Sequence, residues 1–236
     1  PRRNRKNKTT RDLVAETRLT IDKFIYPVFI CEGKEKQIPI KSLDDQYLFS
    51  VDILSLKIKQ WKKLGIINFA LFPSIPNSKK NTTGSESLNN NSLLANGIKK
   101  LKDSHPDINI FTDVALDPYS SDGHDGIVKN GKILNDETLE VLGLMAIKQA
   151  EWGTDRVAPS DMMDGRIGYI RKALDSANFK EVNILAYTAK YSSCFYGPFR
   201  NALKSAPKFG DKKTYQMDFR NSTEAIREAE LDINEG

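Results

Sequence analysis

The feature that most constrains this chain is a recurring two-part unit. A short apolar run rich in β-branched and aromatic residues is followed by a stretch whose apolar residues return at helical spacing. The runs are Ile25–Cys31, Ile67–Phe72, Ile108–Val114, Arg156–Pro159 and Val182–Tyr187. Helical spacing follows in Asp52–Leu64, through Ile53, Leu54, Leu56, Ile58 and Trp61, and in Leu139–Trp152, through Leu139, Leu142, Met145, Ala146 and Ala150. Strands that alternate with helices predict a parallel sheet. Without a glycine-rich phosphate loop, repeated units of this kind favour a TIM (β/α)8 barrel over a dinucleotide-binding sheet, so the expected fold class is α/β. Five strands do not close eight. The sequence is therefore expected to be a C-terminally truncated barrel whose last strands are missing. Its final segment, Ser222–Glu235, reads as a helix with Ser222 as N-cap and Ala225, Ile226, Ala229 and Ile233 along one side.

Charge narrows the partners. The 236 residues carry a net charge of +5, and Arg2, Arg3, Arg5, Lys6, Lys8 and Arg11 supply six cations with no acid among residues 1–11. The remainder is close to neutral, so the basic character belongs to an arm that is solvated or binds a partner. A nucleic-acid face needs that charge spread over a folded surface, and no nucleic-acid partner is expected. Apolar runs such as Ile66–Phe72 are too short to span a bilayer, and no membrane association is expected. Pro1 rather than Met opens the sequence, which leaves a removed presequence open. Cys31 and Cys194 stand alone, which argues against a disulfide scaffold and against zinc held by cysteines. Asn77–Asn91, rich in Asn, Ser, Lys and Thr, is expected to be a mobile loop without chemistry.

Three patches at strand ends can carry chemistry. Lys190 follows the apolar strand Asn183–Tyr187, at the barrel face where active sites gather. Held neutral, it is a nucleophile for ketones; otherwise it is a solvated surface lysine. Arg200, Lys204, Lys208, Lys212 and Lys213 follow, interleaved with Tyr191, Phe195, Tyr196, Phe199, Phe209 and Tyr215. Such a stretch suits a lid over an anionic ligand whose cations depress Lys190, or a charged surface loop with aromatic anchors. In Asp113–Gly126, Asp113, Asp117, Asp122, Asp125 and His124 are the groups of a divalent-cation site, of a protonated-amine site or of a plain acidic turn. In Ala158–Arg166, Ser160 or Asp164 lines a pocket, whereas Met162 and Met163 read as core.

Together Asp113–Gly126, Ala158–Arg166, Tyr187–Arg200 and Ser205–Met217 resemble successive signature segments of the porphobilinogen synthases, also called aminolevulinate dehydratases. Pro1–Arg3 and Glu16–Phe29 are similar to that family's arm and first strand, and the likeness weakens around Ile38–Gln46 and Asn77–Asn91. The resemblance implies condensation of two 5-aminolevulinate molecules into a pyrrole through lysine Schiff bases, in tetrapyrrole (heme) synthesis. It implies an arm at residues 1–22 that embraces a neighbour within a homo-octamer, a catalytic barrel from residue 23 to 236, and a lid near residues 195–221. Lys190 is implied as one of two Schiff-base lysines, with Arg200, Lys212 and Gln216 on the substrate carboxylate and Asp117, Asp125 and Ser160 around the substrate. Asp117 and Asp125 stand where zinc-dependent members carry cysteines, and Ala115 takes the third such position. This implies the magnesium-stimulated branch without catalytic zinc, Glu228 as allosteric Mg2+ ligand, a further Mg2+ site as an open possibility near the aspartates, and a plastid-type organelle, or else a bacterial cytoplasm. The other Schiff-base lysine falls beyond Gly236, so the chain alone is expected to be inactive. Two other readings stand beside this one: a class I aldolase-like barrel, and a non-catalytic assembly piece.

Overall fold

The computed structural model describes residues 1–236. After an exposed arm with helix α1 (Lys8–Leu13), the chain forms β1 (Ile25–Ile30), the short β2 (Gln37–Pro39) and β3 (Tyr47–Phe49), α2 (Val51–Lys62) and β4 (Asn68–Pro73). Next come α3 (Leu93–Ser104), β5 (Asn109–Val114), a hairpin of β6 (Ile127–Lys129) and β7 (Lys132–Leu134), and α4 (Asn135–Trp152). The last elements are β8 (Arg156–Pro159), α5 (Arg166–Ser176), β9 (Asn183–Ile184), α6 (Gly197–Leu203) and α7 (Ser222–Glu235).

The seven-stranded sheet runs β2-β3-β1-β4-β5-β8-β9. The five strands expected from the sequence lie side by side in chain order, and each pairs parallel with the one before. That singly wound order is the barrel's, because a doubly wound sheet reverses direction at a switch point. Beyond the short pairing of β9, Leu185 and Tyr187 donate backbone hydrogen bonds to Val157 and Pro159, which carries the strand's direction toward Lys190.

Alternation along the strands sorts side chains to two layers. Val28 and Ile30, Phe69 and Leu71, and Ile110 pack outward against Leu54 and Ile58 of α2 and Leu94, Ala95, Ile98 and Leu101 of α3. The opposite set, Ile25, Pro27, Phe29, Ala70, Phe72, Phe111 and Leu185, lines a concave apolar cavity of ≈ 410 Å³ inside the sheet's curve. A second core joins Leu142, Met145, Ala146 and Ala150 of α4 to Ile170 and Leu174 of α5.

Several expectations need correction. Leu56 points to solvent rather than joining the stripe of α2. In α7, Ile226 and Ile233 are exposed in this chain, and the side that meets α5 makes polar contacts: Arg166 meets Asp232 at 3.5 Å, and the Gly168 amide donates to Glu235 at 2.9 Å. Asn221, not Ser222, is its N-cap residue. The 195–221 segment contains the helix α6, begun by Pro198 in its first turn, where proline's missing N–H costs nothing. Met162 and Met163 are buried, as expected.

Asn77–Asn91 is tied down rather than loose. Asn81 Oδ1 accepts from the Thr83 and Ser85 amides, Lys79 pairs with Glu32 at 2.5 Å, and the Trp152 indole donates to Asn90 Oδ1 at 3.0 Å. Trp152→Phe keeps the apolar ring but removes that last donor. It is expected to lower unfolding free energy by roughly 1–2 kcal/mol in denaturant titration, with faster amide exchange concentrated near Asn90.

Candidate active site

The strand ends place three acidic side chains around one lysine. Asp113 ends β5 one residue before its close, Asp117 and Asp125 follow on the loop to β6, and Lys190 follows β9. Lys190 Nζ donates to the Ser160 carbonyl at 2.5 Å and lies 3.7 Å from Asp125 Oδ2. Lys212 Nζ reaches Asp125 Oδ1 at 2.7 Å and Asp117 Oδ2 at 3.4 Å, while Ser160 Oγ donates to Asp113 Oδ1 at 2.5 Å.

Two backbone arrangements bring the 200–217 segment to these acids. Met217 pairs with Tyr191 in a parallel bridge, with its amide donating to the Lys190 carbonyl at 3.0 Å and its carbonyl accepting from the Ser192 amide at 2.8 Å. A turn in which the Gln216 amide donates to the Lys212 carbonyl then presents both side chains inward. At the other end the loop and the lid meet at Gly123, with φ +73, where an added Cβ would fall 2.2 Å from the Ala206 carbonyl oxygen. Only glycine fits there. α6 is seated by Phe199, whose ring lies 5.1 Å from that of Phe72 and 5.8 Å from that of Phe29.

The resulting cavity of ≈ 300 Å³ is lined by Asp113, Asp117, Ser160, Lys190, Arg200, Lys212 and Gln216, with Tyr187, Tyr196 and Phe199 among its walls. Gln216 Oε1 is buried without a partner. Tyr196 lies between two cations, 5.7 Å from Lys190 Nζ and 5.8 Å from the Arg200 guanidinium.

Electrostatics here differ from the expectation. Burial lowers the pKa of Lys190, but the carboxylates of Asp125, Asp117 and Asp113 outweigh it and hold the ammonium well above the ordinary lysine range. The lid cations expected to depress Lys190 do not dominate. Lys212 is spent on the aspartates, and Lys204, Lys208 and Lys213 point to solvent. In Asp113 burial, assisted by Asp117, pushes the carboxyl up to about 7. Burial also raises Asp125, whereas in Asp117 the attraction of Lys212 and Lys190 overcomes desolvation and holds it low.

Seven nominated residues therefore converge: Lys190, Arg200, Lys212, Gln216, Asp117 and Ser160 line the cavity, and Asp125 stands buried behind it between two ammonium groups. Asp164 does not join them. It lines a separate polar cavity of ≈ 860 Å³ with Glu224, Glu228 and Asp232. The sequence placed Asp113 in the acidic patch and Tyr196 among the lid aromatics without giving either a separate role; the strand-end position of Asp113 was a usable signal, while that of Tyr196 depends on how α6 folds back.

The sequence matches the family described as Delta-aminolevulinic acid dehydratase across residues 1–236. The chain belongs to that family. It is 51% identical to the chloroplastic Delta-aminolevulinic acid dehydratase 1 of Arabidopsis thaliana, over all of this chain and 55% of the relative. It is 48% identical to the enzyme of Bradyrhizobium diazoefficiens, over all of this chain and 67% of the relative. The crystal structure of the delta-aminolevulinic acid dehydratase (porphobilinogen synthase) of Toxoplasma gondii ME49, in complex with the reaction product porphobilinogen, superposes with a TM-score of 0.95 at 48% identity. It is matched by all of this chain, which covers 68% of it. The chain thus spans a little over half the length of the plant relatives it matches. A TIM barrel is the dehydratase fold this likeness assigns.

Beside this cavity, Asp161 is buried, with Oδ2 unpartnered and Arg166 Nε 3.8 Å away, and burial raises its carboxyl to about 7. Its proton is bound more tightly in the fold than in the unfolded chain. The resulting stability is present below the unfolded pKa of 3.8 and is lost as pH rises through about 7. Asp161→Asn cannot titrate, so its melting temperature relative to the parent is expected to climb between pH 4 and about 7 and to level off above, in melts across that range.

Proposed function

We propose that the natural polypeptide carrying this chain is a porphobilinogen synthase. It joins two 5-aminolevulinate molecules into porphobilinogen with loss of two waters, in tetrapyrrole synthesis. The observation that carries this reading is one cavity lined together by the half-buried Lys190, the carboxylates of Asp113 and Asp117, and Arg200, Lys212 and Gln216. 5-Aminolevulinate is an amino ketone with a carboxylate at one end and an ammonium at the other. Its carboxylate fits the Arg200 guanidinium and the side-chain NH2 of Gln216, with Lys212 beside them. Its ammonium fits Asp117 and Asp125.

In the empty site Lys190 is held protonated and must lose a proton before it can attack. Asp125, 3.7 Å away and raised by burial, is placed to accept it. A substrate ammonium that arrives beside these acids adds a competing cation, which lowers the pKa of Lys190 in the loaded site. The neutral amine then adds to the ketone carbon, and the carbinolamine expels its hydroxyl as water to leave an iminium. That cation is the electron sink for bond formation at the neighbouring carbons. The residues of this chain account for one of the two substrate molecules.

We place Mg2+ at Glu228, away from the reacting atoms. Burial, followed by the neighbouring Asp164, Asp232 and Glu224, pushes the Glu228 carboxyl up, and a divalent ion beside these acids would relieve that repulsion. Magnesium suits a site of one or two carboxylates completed by water, and this cavity is polar. At the aspartate loop the Lys212 ammonium already bridges Asp117 and Asp125, so a substrate ammonium or a second Mg2+ would share these carboxylates with it. The basic, exposed arm is assigned to contacts between copies in a homo-octamer, and the chloroplastic plant relatives favour a plastid-type compartment.

Borohydride added to the natural polypeptide with 5-aminolevulinate should fix onto Lys190 an adduct equal to the substrate less one oxygen. Lys190→Ala should lose both that adduct and porphobilinogen formation, falling to background; an active Lys190→Ala protein rejects the mechanism. A folded parent that traps the adduct but makes no pyrrole points instead to aldolase-type chemistry. Glu228→Ala should retain basal turnover and lose its rise with added Mg2+, and an unchanged magnesium response removes Glu228 from that role.

A further inference from the structure

The Asn-rich segment assigned no chemistry from sequence reaches the lid. Lys80 Nζ donates to the Lys204 carbonyl at 2.9 Å and the Leu203 carbonyl at 3.5 Å, the last carbonyls of α6. Helix-end carbonyls have no partner within their own helix and take donors from elsewhere. Lys204 adopts the left-handed conformation, φ +53, which a lysine occupies only when its surroundings hold it there. Leu203 beside it is fully buried. The donor is itself pinned on both sides. Lys79 is paired with Glu32 after β1, and Asn81 bridges to Ser120, its carbonyl accepting from the Ser121 amide at 2.9 Å and its amide donating to Tyr119 at 3.3 Å. One short stretch therefore ties the aspartate loop to the helix that carries Arg200. Burial lowers the pKa of Lys80, partly offset by the attraction of Asp117, so the amine is also electrostatically part of the site's surroundings.

We propose that Lys80 is a positioning residue. By capping α6 from the 77–91 segment it fixes Arg200 over Lys190 in register with Asp117, and so sets affinity for a substrate carboxylate. This rests on the proposed function for the identity of the substrate and on the geometry alone for the latch. Arg200 is carried by α6, which is also seated by Phe199, Ala202 and Leu203 in a cluster with Phe29, Ile40 and Phe72 and by the Pro198 carbonyl, which accepts from Ser42 Oγ at 2.8 Å; Lys80 alone links its last turn to the 77–91 segment.

The test compares Lys80→Met and Lys80→Arg in the full natural polypeptide with 5-aminolevulinate, together with amide exchange across α6. Lys80→Met should raise KM about tenfold, the effect of losing one charged hydrogen bond, with kcat changed by less than about twofold. Amides of residues 199–206 should exchange faster in that variant, with β4 and β5 unaltered. Lys80→Arg, which keeps a charged donor, should restore both readouts. Unchanged KM and unchanged α6 exchange in Lys80→Met overturn the proposal. It is equally overturned by exchange that quickens throughout β4 and β5 while kcat and KM worsen together, since that is general destabilisation. If the wild-type protein makes no porphobilinogen, the proposed function fails, and the exchange comparison alone decides the latch.

Discussion

A carboxylate taken out of water needs compensation, and Asp125 is fully buried with an ammonium at each oxygen: Lys212 at 2.7 Å and Lys190 at 3.7 Å. Removing one member of such a group leaves an uncompensated buried charge, at a cost of about 3–5 kcal/mol. The parts of the fold that meet here come from distant stretches: the loop after β5, the end of β9 and the turn at residues 212–216. Their docking is therefore coupled to the charge balance of the site.

The same balance holds the lysine of this site protonated. In the empty cavity Asp113, Asp117 and Asp125 outweigh desolvation at Lys190. Two of these acids are themselves raised by burial, Asp113 to about 7 and Asp125 as well, whereas Asp117 is held low, so two carboxyls with raised proton affinity stand near Lys190. Under the proposed function, a zwitterionic substrate would bring its own cation to the acids and its own anion to Arg200 and Gln216, and so would change the proton affinity of Lys190.

Polar contacts also dominate where helix faces suggested apolar ones. In α7 the expected stripe of Ile226 and Ile233 faces outward, and Asp232 and Glu235 face the barrel. Thr188 Oγ1 donates to Asp232 Oδ2 at 2.6 Å, and Arg166 lies on the same carboxylate. Helical spacing alone cannot weigh two isoleucines against a buried arginine that needs an anion, and the arginine prevails because an unpaired buried guanidinium is the costlier outcome.

Sequence alone determined the barrel's strands, their order and the residues gathered in the site. The strands and their order depend on local pattern, apolar runs that bury on both faces with helices between them; Lys190 and the aspartates stand where parallel strands end, whereas the full set of site residues, Gln216 above all, followed from the family resemblance. The four runs through Arg156–Pro159 and the start of the fifth became paired strands, and Lys190, Arg200, Lys212, Gln216, Asp117 and Ser160 came to one cavity. Tertiary structure alone decided the charge of that cavity and the order of its rim. The pKa of Lys190 follows from which charges stand within a few ångströms, and the sequence, dense in cations after Lys190, pointed the wrong way because most of those cations face water. Likewise Asn77–Asn91 has the composition of a loose loop, yet Trp152, Glu32 and the Ser120 backbone hold it, all distant in the chain. Periodicity and composition are local; screening, desolvation and long-range hydrogen bonds are not.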